Sequence, residues 1–181
     1  MNTYIKIVER PKLKTSELLN FCRSKFKVWS WKTDKELDKN FPRPKKETTH
    51  YFLNCVEADE IHKNKSANDL KKEGIKGITL RERIIMELEY FELTGKHLDI
   101  DNITLCSGSR YLDGDVPYSV WIDDDGFCVD GCGPDSRSDS IRAREQFSSI
   151  PSNLTFEPLE SLSLEKRVKD LEDKMIKIER V

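Results

Sequence analysis

Val116-Pro117-Tyr118-Ser119-Val120-Trp121-Ile122, then Asp123-Asp124-Asp125-Gly126, then Phe127-Cys128-Val129-Asp130-Gly131-Cys132 reads as a β-hairpin. Two runs rich in β-branched and aromatic residues flank an acidic turn that ends in glycine. Side chains alternate along a strand, so the loop length decides which apolar sets share a face. An even loop, either Asp123–Gly126 or the tighter Asp125-Gly126, places Tyr118, Val120 and Ile122 on the side of Phe127 and Val129. An odd loop without a bulge does not.

Working outward, Asn102–Cys106 is a further strand, and Ile141–Phe147 alternates apolar and charged residues as a strand or a helix. Upstream lies a strong helix over 80–93. Thr79 and Glu82 form a capping box, Leu80, Ile84, Ile85, Leu88 and Phe91 lie along one face, and Gly95 supplies the stop. Tyr4–Val8 is a short β run, and Thr15 is placed to cap a helix carrying Leu18, Leu19, Phe21 and Cys22 to about Phe26. Thr33 and Glu36 open a second short helix through Leu37, stopped by Phe41-Pro42-Arg43-Pro44. Residues 48–62 read as helical with Phe52, Val56 and Ile61 as core positions, and a short helical turn surrounds Leu70.

The C-terminal end carries Leu164, Val168, Leu171, Met175 and Ile178 at alternating spacings of four and three. This heptad seam has Val168 and Met175 at a, and Leu164, Leu171 and Ile178 at d. Arg167–Glu172 and Lys174–Glu179 then face each other as attractive pairs in a parallel dimer of two copies. Ile176 widens the stripe beyond the seam. The expected architecture is α+β: a helical, basic N-terminal region (1–97) packed with a small antiparallel β-sheet region (98–150). A linker (151–158) and a C-terminal coiled-coil helix (159–181) follow.

Charge divides the chain. Residues 1–50 hold 13 lysines and arginines against 6 acids, or +7, whereas residues 97–140 hold ten aspartates against Arg110 and Arg137. Attraction between these two stretches is the simplest consequence. The run Lys25, Lys27, Trp29, Trp31 and Lys32 offers an alternative, since bases stack on tryptophan while lysine neutralises phosphate. No apolar run approaches the ~20 residues of a membrane span, and no signal-peptide core opens the chain. Five cysteines at irregular spacing fit a reducing compartment. A cytoplasmic protein without membrane contact is expected.

Metal and catalytic patterns are weak. Cys128 and Cys132 on one strand stand roughly 13 Å apart, too far to share one zinc ion with Cys106 or His97. Asp123-Asp124-Asp125-Gly126 lacks the ligand spacing of a calcium loop and is what a turn requires for its own backbone. A metal-dependent hydrolase or nuclease using that cluster is a further alternative. His50, His62 and His97 are scattered, so the sequence assigns no catalytic residue, no metal ligand and no cofactor.

Ser107-Gly108-Ser109-Arg110, then Gly114, Val116-Pro117 and Trp121, then Arg142-Ala143-Arg144 resembles a segment of small proteins of bacteria and their phages or prophages. Thr79-Leu80-Arg81-Glu82-Arg83 through Thr94-Gly95-Lys96-His97-Leu98-Asp99 belongs to the same pattern, which spans about 65 residues. The basic head and the heptad tail fall outside it, and Gly131 stands where the pattern leads us to expect an aromatic. The resemblance implies a bacterial or phage setting and no activity. The leading expectation is a non-enzymatic, oligomeric binding protein acting on a host or defence component or a small ligand. Its recognition surface is expected around Arg110, Asp113, Asp115, Trp121, Arg142 and Arg144.

Overall fold

The hairpin forms, but through an odd loop. In the computed structural model, which describes residues 3–53, 56–152 and 155–159, β5 (Val116–Ile122) pairs antiparallel with β6 (Gly126–Cys132), and three residues, 123–125, connect them. Trp121 opposes Phe127 and Ser119 opposes Val129. The face turned to the main core is therefore Pro117, Ser119 and Trp121 with Phe127 and Val129. On the opposite face Tyr118 packs against a smaller cluster of Val116, Leu105 and Ile141, and Ile122 is exposed. The expected register is off by one residue. Gly126 supplies the reason: its φ of +79° is a left-handed conformation that ends the turn one residue early.

This hairpin is the centre of a five-stranded sheet with the order β2-β6-β5-β4-β7, adding β2 (Val28–Ser30), β4 (Ile103–Leu105) and β7 (Ile141–Ala143). β4 runs antiparallel to β5, while β2 and β7 join at the edges in parallel. The sheet is mixed rather than antiparallel, because its edges come from distant parts of the chain. A second, three-stranded sheet has the order β3-β1-β8, from β1 (Thr3–Glu9), β3 (Thr48–Leu53) and β8 (Glu157–Pro158).

Two expectations change here. Residues 48–53 are strand, not helix: Thr48-Thr49-His50-Tyr51-Phe52 is β-branched and aromatic, and it pairs residue for residue with β1. Only Phe52 of the three expected core positions is buried, whereas Val56 and Ile61 are exposed. The stretch assigned as a linker instead contributes β8, parallel to β1, and Leu159 beyond it is buried in the core. The heptad positions Leu164, Val168, Leu171, Met175 and Ile178 lie outside the described residues.

Helices fill the space between the sheets. α1 (Thr15–Arg23) and α2 (Asp34–Asn40) pack on each other, α3 (Ala67–Lys72) is a short outlier, and α4 (Leu80–Thr94) is central. Both expected capping boxes are present, Thr33 with Glu36 and Thr79 with Glu82, and Gly95 ends α4 at φ +67°. Thr15 does not cap α1. Lys14 holds that position, and the Thr15 hydroxyl turns inward to donate to the Phe41 carbonyl at 2.5 Å. α4 contacts β1 of one sheet and β5 of the other. Its burial therefore wraps round the helix, taking in Leu80, Ile84, Met86 and Tyr90 together with Arg81, Glu82, Arg83 and Glu87.

Candidate binding clefts and the buried charge network

Consecutive residues on an α-helix project about 100° apart. Arg81, Glu82 and Arg83 thus point three ways from an enclosed helix, and each must find a partner in the interior. Arg81 pairs with Glu9 of β1 and donates to the Thr15 hydroxyl and the Leu13 carbonyl, both at 2.9 Å. Glu82 accepts from the Gln146 amide at 2.9 Å and lies 2.5 Å from His50 Nδ1.

Arg83 enters the largest network. Its Nε donates to Asp99 Oδ2 at 3.0 Å and its Nη1 to Glu87 Oε2 at 2.8 Å, while Nη2 sits 2.9 Å from Asp99 Oδ2 without hydrogen-bond geometry. Arg144 Nη2 donates to Asp99 Oδ1 at 2.5 Å, Thr104 Oγ1 donates to Oδ2 at 2.5 Å, and the Ala58 amide donates to Oδ1 at 3.0 Å. Burial alone would raise the Asp99 carboxyl, but Arg144, Arg83 and the Thr104 hydroxyl hold it below the ordinary carboxylate range. Asp99 adopts a left-handed φ of +54°, secured by its amide on the Val56 carbonyl and by its own carbonyl under the Trp121 amide. Two arginines and two carboxylates balance, and every one of the four side chains is inside.

The six residues expected to form one surface are scattered. Arg144 is not a surface residue at all: it neutralises Asp99 in the core. Trp121 stacks on His97, with ring centroids 3.3 Å apart, and His97 in turn meets Glu87 at 2.9 Å. Asp113 and Asp115 share a turn in which Asp113 Oδ1 accepts from the Asp115 amide. Arg110 and Arg142 reach two separate clefts.

The basic aromatic run is also engaged internally. Lys25 pairs with Glu92 at 2.9 Å, Lys27 donates to the Asp124 carbonyl and lies 3.8 Å from Asp125, and Lys32 lies 3.9 Å from Asp113. In the Lys27 and Lys32 pairs the attraction between basic head and acidic middle is a contact within one chain. Trp29 and Trp31 remain 45% and 44% exposed. A Cβ on Gly131 would come within 3.1 Å of the Trp31 ring and 2.9 Å of the Tyr111 ring. The space beside Gly131 is thus occupied by Tyr111 and by Trp31, the residue that follows β2.

No family model, curated protein or solved structure matches this chain. Its geometry must carry the functional reading.

The larger cleft, about 610 Å³, opens between β3 and the segment after β7. Glu57, Asp59, Glu60 and Glu145 line it with Arg142 as the one cation among the described residues, beside Leu53, Val56, Ile61 and Phe147. Burial raises the Asp59 carboxyl, whose Oδ2 accepts from the Glu145 amide at 2.9 Å. Arg142 is held against Glu60 and the Ala58 carbonyl, but its Nε is buried without a partner. His62 is 3% exposed, forms no hydrogen bond through either ring nitrogen, and faces Glu145 Oε2 at 3.6 Å. Only Arg142 of this set was legible in the sequence. The available signal was Glu57-Ala58-Asp59-Glu60, three acids in four residues within a basic half of the chain.

Among the described residues, no group of three His, Cys, Asp or Glu side chains is arranged to hold a metal ion. Cys128 and Cys132 sit at separate positions along β6, opposite Val120 and Val116. Burial pushes the Cys106 thiol up to about 12, away from the thiolate a metal requires. Asp123–Asp125 form the hairpin turn. No described helix is long and apolar enough to cross a membrane.

Proposed function

We propose that the protein is a non-enzymatic binding protein whose acidic cleft takes up a basic, amphipathic segment of a partner protein. One observation carries this reading: Val56 and Ile61, 55% and 76% exposed, stand beside four carboxylates and a single arginine. Apolar side chains without cover mark contact surfaces when they cluster, and the surrounding charge selects a cationic occupant. In the bacterial or phage setting suggested by the resemblance, that segment belongs to a host or defence component.

A labelled peptide alternating lysine and leucine tests the reading by fluorescence anisotropy, with a glutamate–leucine peptide as control. The lysine peptide is expected to bind selectively and to weaken as salt rises. Ile61→Ser should weaken it about tenfold, in keeping with ~1.5–3 kcal/mol for burying such a side chain. Asp59→Asn should weaken it further at low salt. Equal binding of both peptides, or of wild type and variants, would refute the assignment.

Self-association through the heptad seam is the second part of the proposal. Full-length Leu171→Lys should be monomeric by light scattering at concentrations where the wild type is a dimer. A monomeric wild type removes this part and leaves the cleft reading intact. Binding of nucleic acid rests on Trp29 and Trp31 alone, because the neighbouring Lys25, Lys27 and Lys32 already meet acidic groups.

A further inference from the structure

The second cleft, about 380 Å³, lies on the other side of the segment after β7, between α3, the 74–77 link and the loop Ser107–Arg110. We propose that it binds a small ligand bearing an oxyanion, either inorganic phosphate or a phosphate monoester.

Charge is the first argument. Lys71, Lys76 and Arg110 line this cleft, and among the described residues no carboxylate does. Among the described residues none of the three lies within ion-pair distance of an acid. Other surface lysines among the described residues also stand unpaired, but these three cations share one concave surface. Like charges gathered around one cleft repel one another, and a multiply charged anion relieves that repulsion.

Preorganisation is the second. Arg110 Nη1 donates to the Ser107 carbonyl at 2.8 Å and to the Ser109 carbonyl at 2.7 Å. The guanidinium is thereby fixed by its own loop, while its Nε and Nη2 have no acceptor among the described residues. A planar, already oriented donor pair is the group best suited to grip an oxyanion, since little side-chain entropy remains to be lost. Partial burial, with no acid to offset it, lowers the Arg110 pKa; a bound anion would reverse this.

The wall itself is rigid. The Gly108 amide donates to the Ile78 carbonyl at 3.1 Å. A Cβ on Gly108 would sit 2.3 Å from the Gly77 carbonyl oxygen, and one on Gly77 would sit 1.8 Å from Ser107 Oγ. This close seating presses Ser107 Oγ into a buried position with no hydrogen-bond partner. A buried hydroxyl without a partner is costly, and here it belongs to a residue of the cleft lining. The N-terminus of α4 adds little, because the Leu80 amide is taken by Ser109 Oγ and the Glu82 amide by Thr79 Oγ1. The ligand would be held by side chains.

Isothermal titration of the full chain with inorganic phosphate, and separately with phenyl phosphate, tests the site against sodium chloride at matched ionic strength. Saturable one-site binding of at least one of them is expected. Binding of both identifies the oxyanion alone as the determinant, and binding of phenyl phosphate only identifies an ester. Lys71→Gln combined with Lys76→Gln removes exposed side chains without partners, so the fold is retained. That double variant should lose at least about tenfold in affinity, and Arg110→Gln should abolish binding. No saturable heat beyond the chloride control, or unchanged affinity in the double variant, would overturn the proposal. The acidic cleft shares none of these residues, so peptide binding there succeeds or fails separately.

Discussion

Asp99→Ala is expected to lower stability by about 3–5 kcal/mol, the cost of leaving a buried charge without its counter-ion. The substitution strands two guanidiniums, Arg83 and Arg144, in the interior with Glu87 as the one remaining carboxylate of the network. It also strips the Thr104 hydroxyl and the Ala58 amide of their acceptor. Against a typical domain stability of about 5–15 kcal/mol, the loss would leave a marginal fold. Urea unfolding followed by circular dichroism measures it, and a change under ~1 kcal/mol would show that the network is not paired as described.

The same carboxyl sets an acid limit. Its folded-state pKa lies below the ordinary value of 3.8, so its contribution is fully present above that value and is lost as pH falls through the folded pKa. Asp59 has the opposite sign. Its folded pKa is raised, so its contribution is present below 3.8 and disappears as pH climbs through the folded value. Asp59→Asn should therefore flatten the fall in stability between acid and neutral pH, while Asp99→Ala should remove the protection near the acid end.

Gly126→Val should be the most damaging change on the five-stranded sheet. A β-branched residue at φ +79° carries backbone strain of about 1–3 kcal/mol, and its Cβ would stand 2.1 Å from the Lys27 carbonyl oxygen. That oxygen accepts the Phe127 amide at 2.9 Å, the first rung joining β2 to β6. Strain and clash add, so the loss should reach or exceed the upper end of that range. β2 carries Trp29 and positions Trp31, so its release should shift tryptophan emission to the red before global unfolding. Emission and stability that both match the wild type would contradict the turn geometry.

Much of the fold was legible because its signals are local. The Thr33–Glu36 and Thr79–Glu82 boxes, the Gly95 stop and the hairpin over 116–132 each lie within a few residues. What could not be read depends on partners far along the chain. Thr48–Leu53 becomes a strand because β1 is beside it, and Val28–Ser30 is an edge strand because β6 is. The hairpin register turned on one backbone angle at Gly126. The site suffered most from the same limitation. Arg142 and Arg144, two residues apart on a strand-like path, look equivalent in sequence, yet one lines an open cleft and the other neutralises Asp99 in the interior. Charge along α4 carries no local sign of burial, yet the helix contacts both sheets, and Arg81, Glu82, Arg83 and Glu87 turn inward.

Arg81, Glu82 and Arg83 also bear on how the protein is made. Their partners are Glu9, His50 with Gln146, and Asp99, and Asp99 is complete only with Arg144. β1 waits for β8 at residues 157–158, and β2 waits for β6. α4 therefore takes Glu9 from the chain before it and Asp99 from the chain after it. Both sheets and the Asp99 network are complete only when segments from either side of α4 have come together. A chain cut short before residue 144 would leave Asp99 without Arg144.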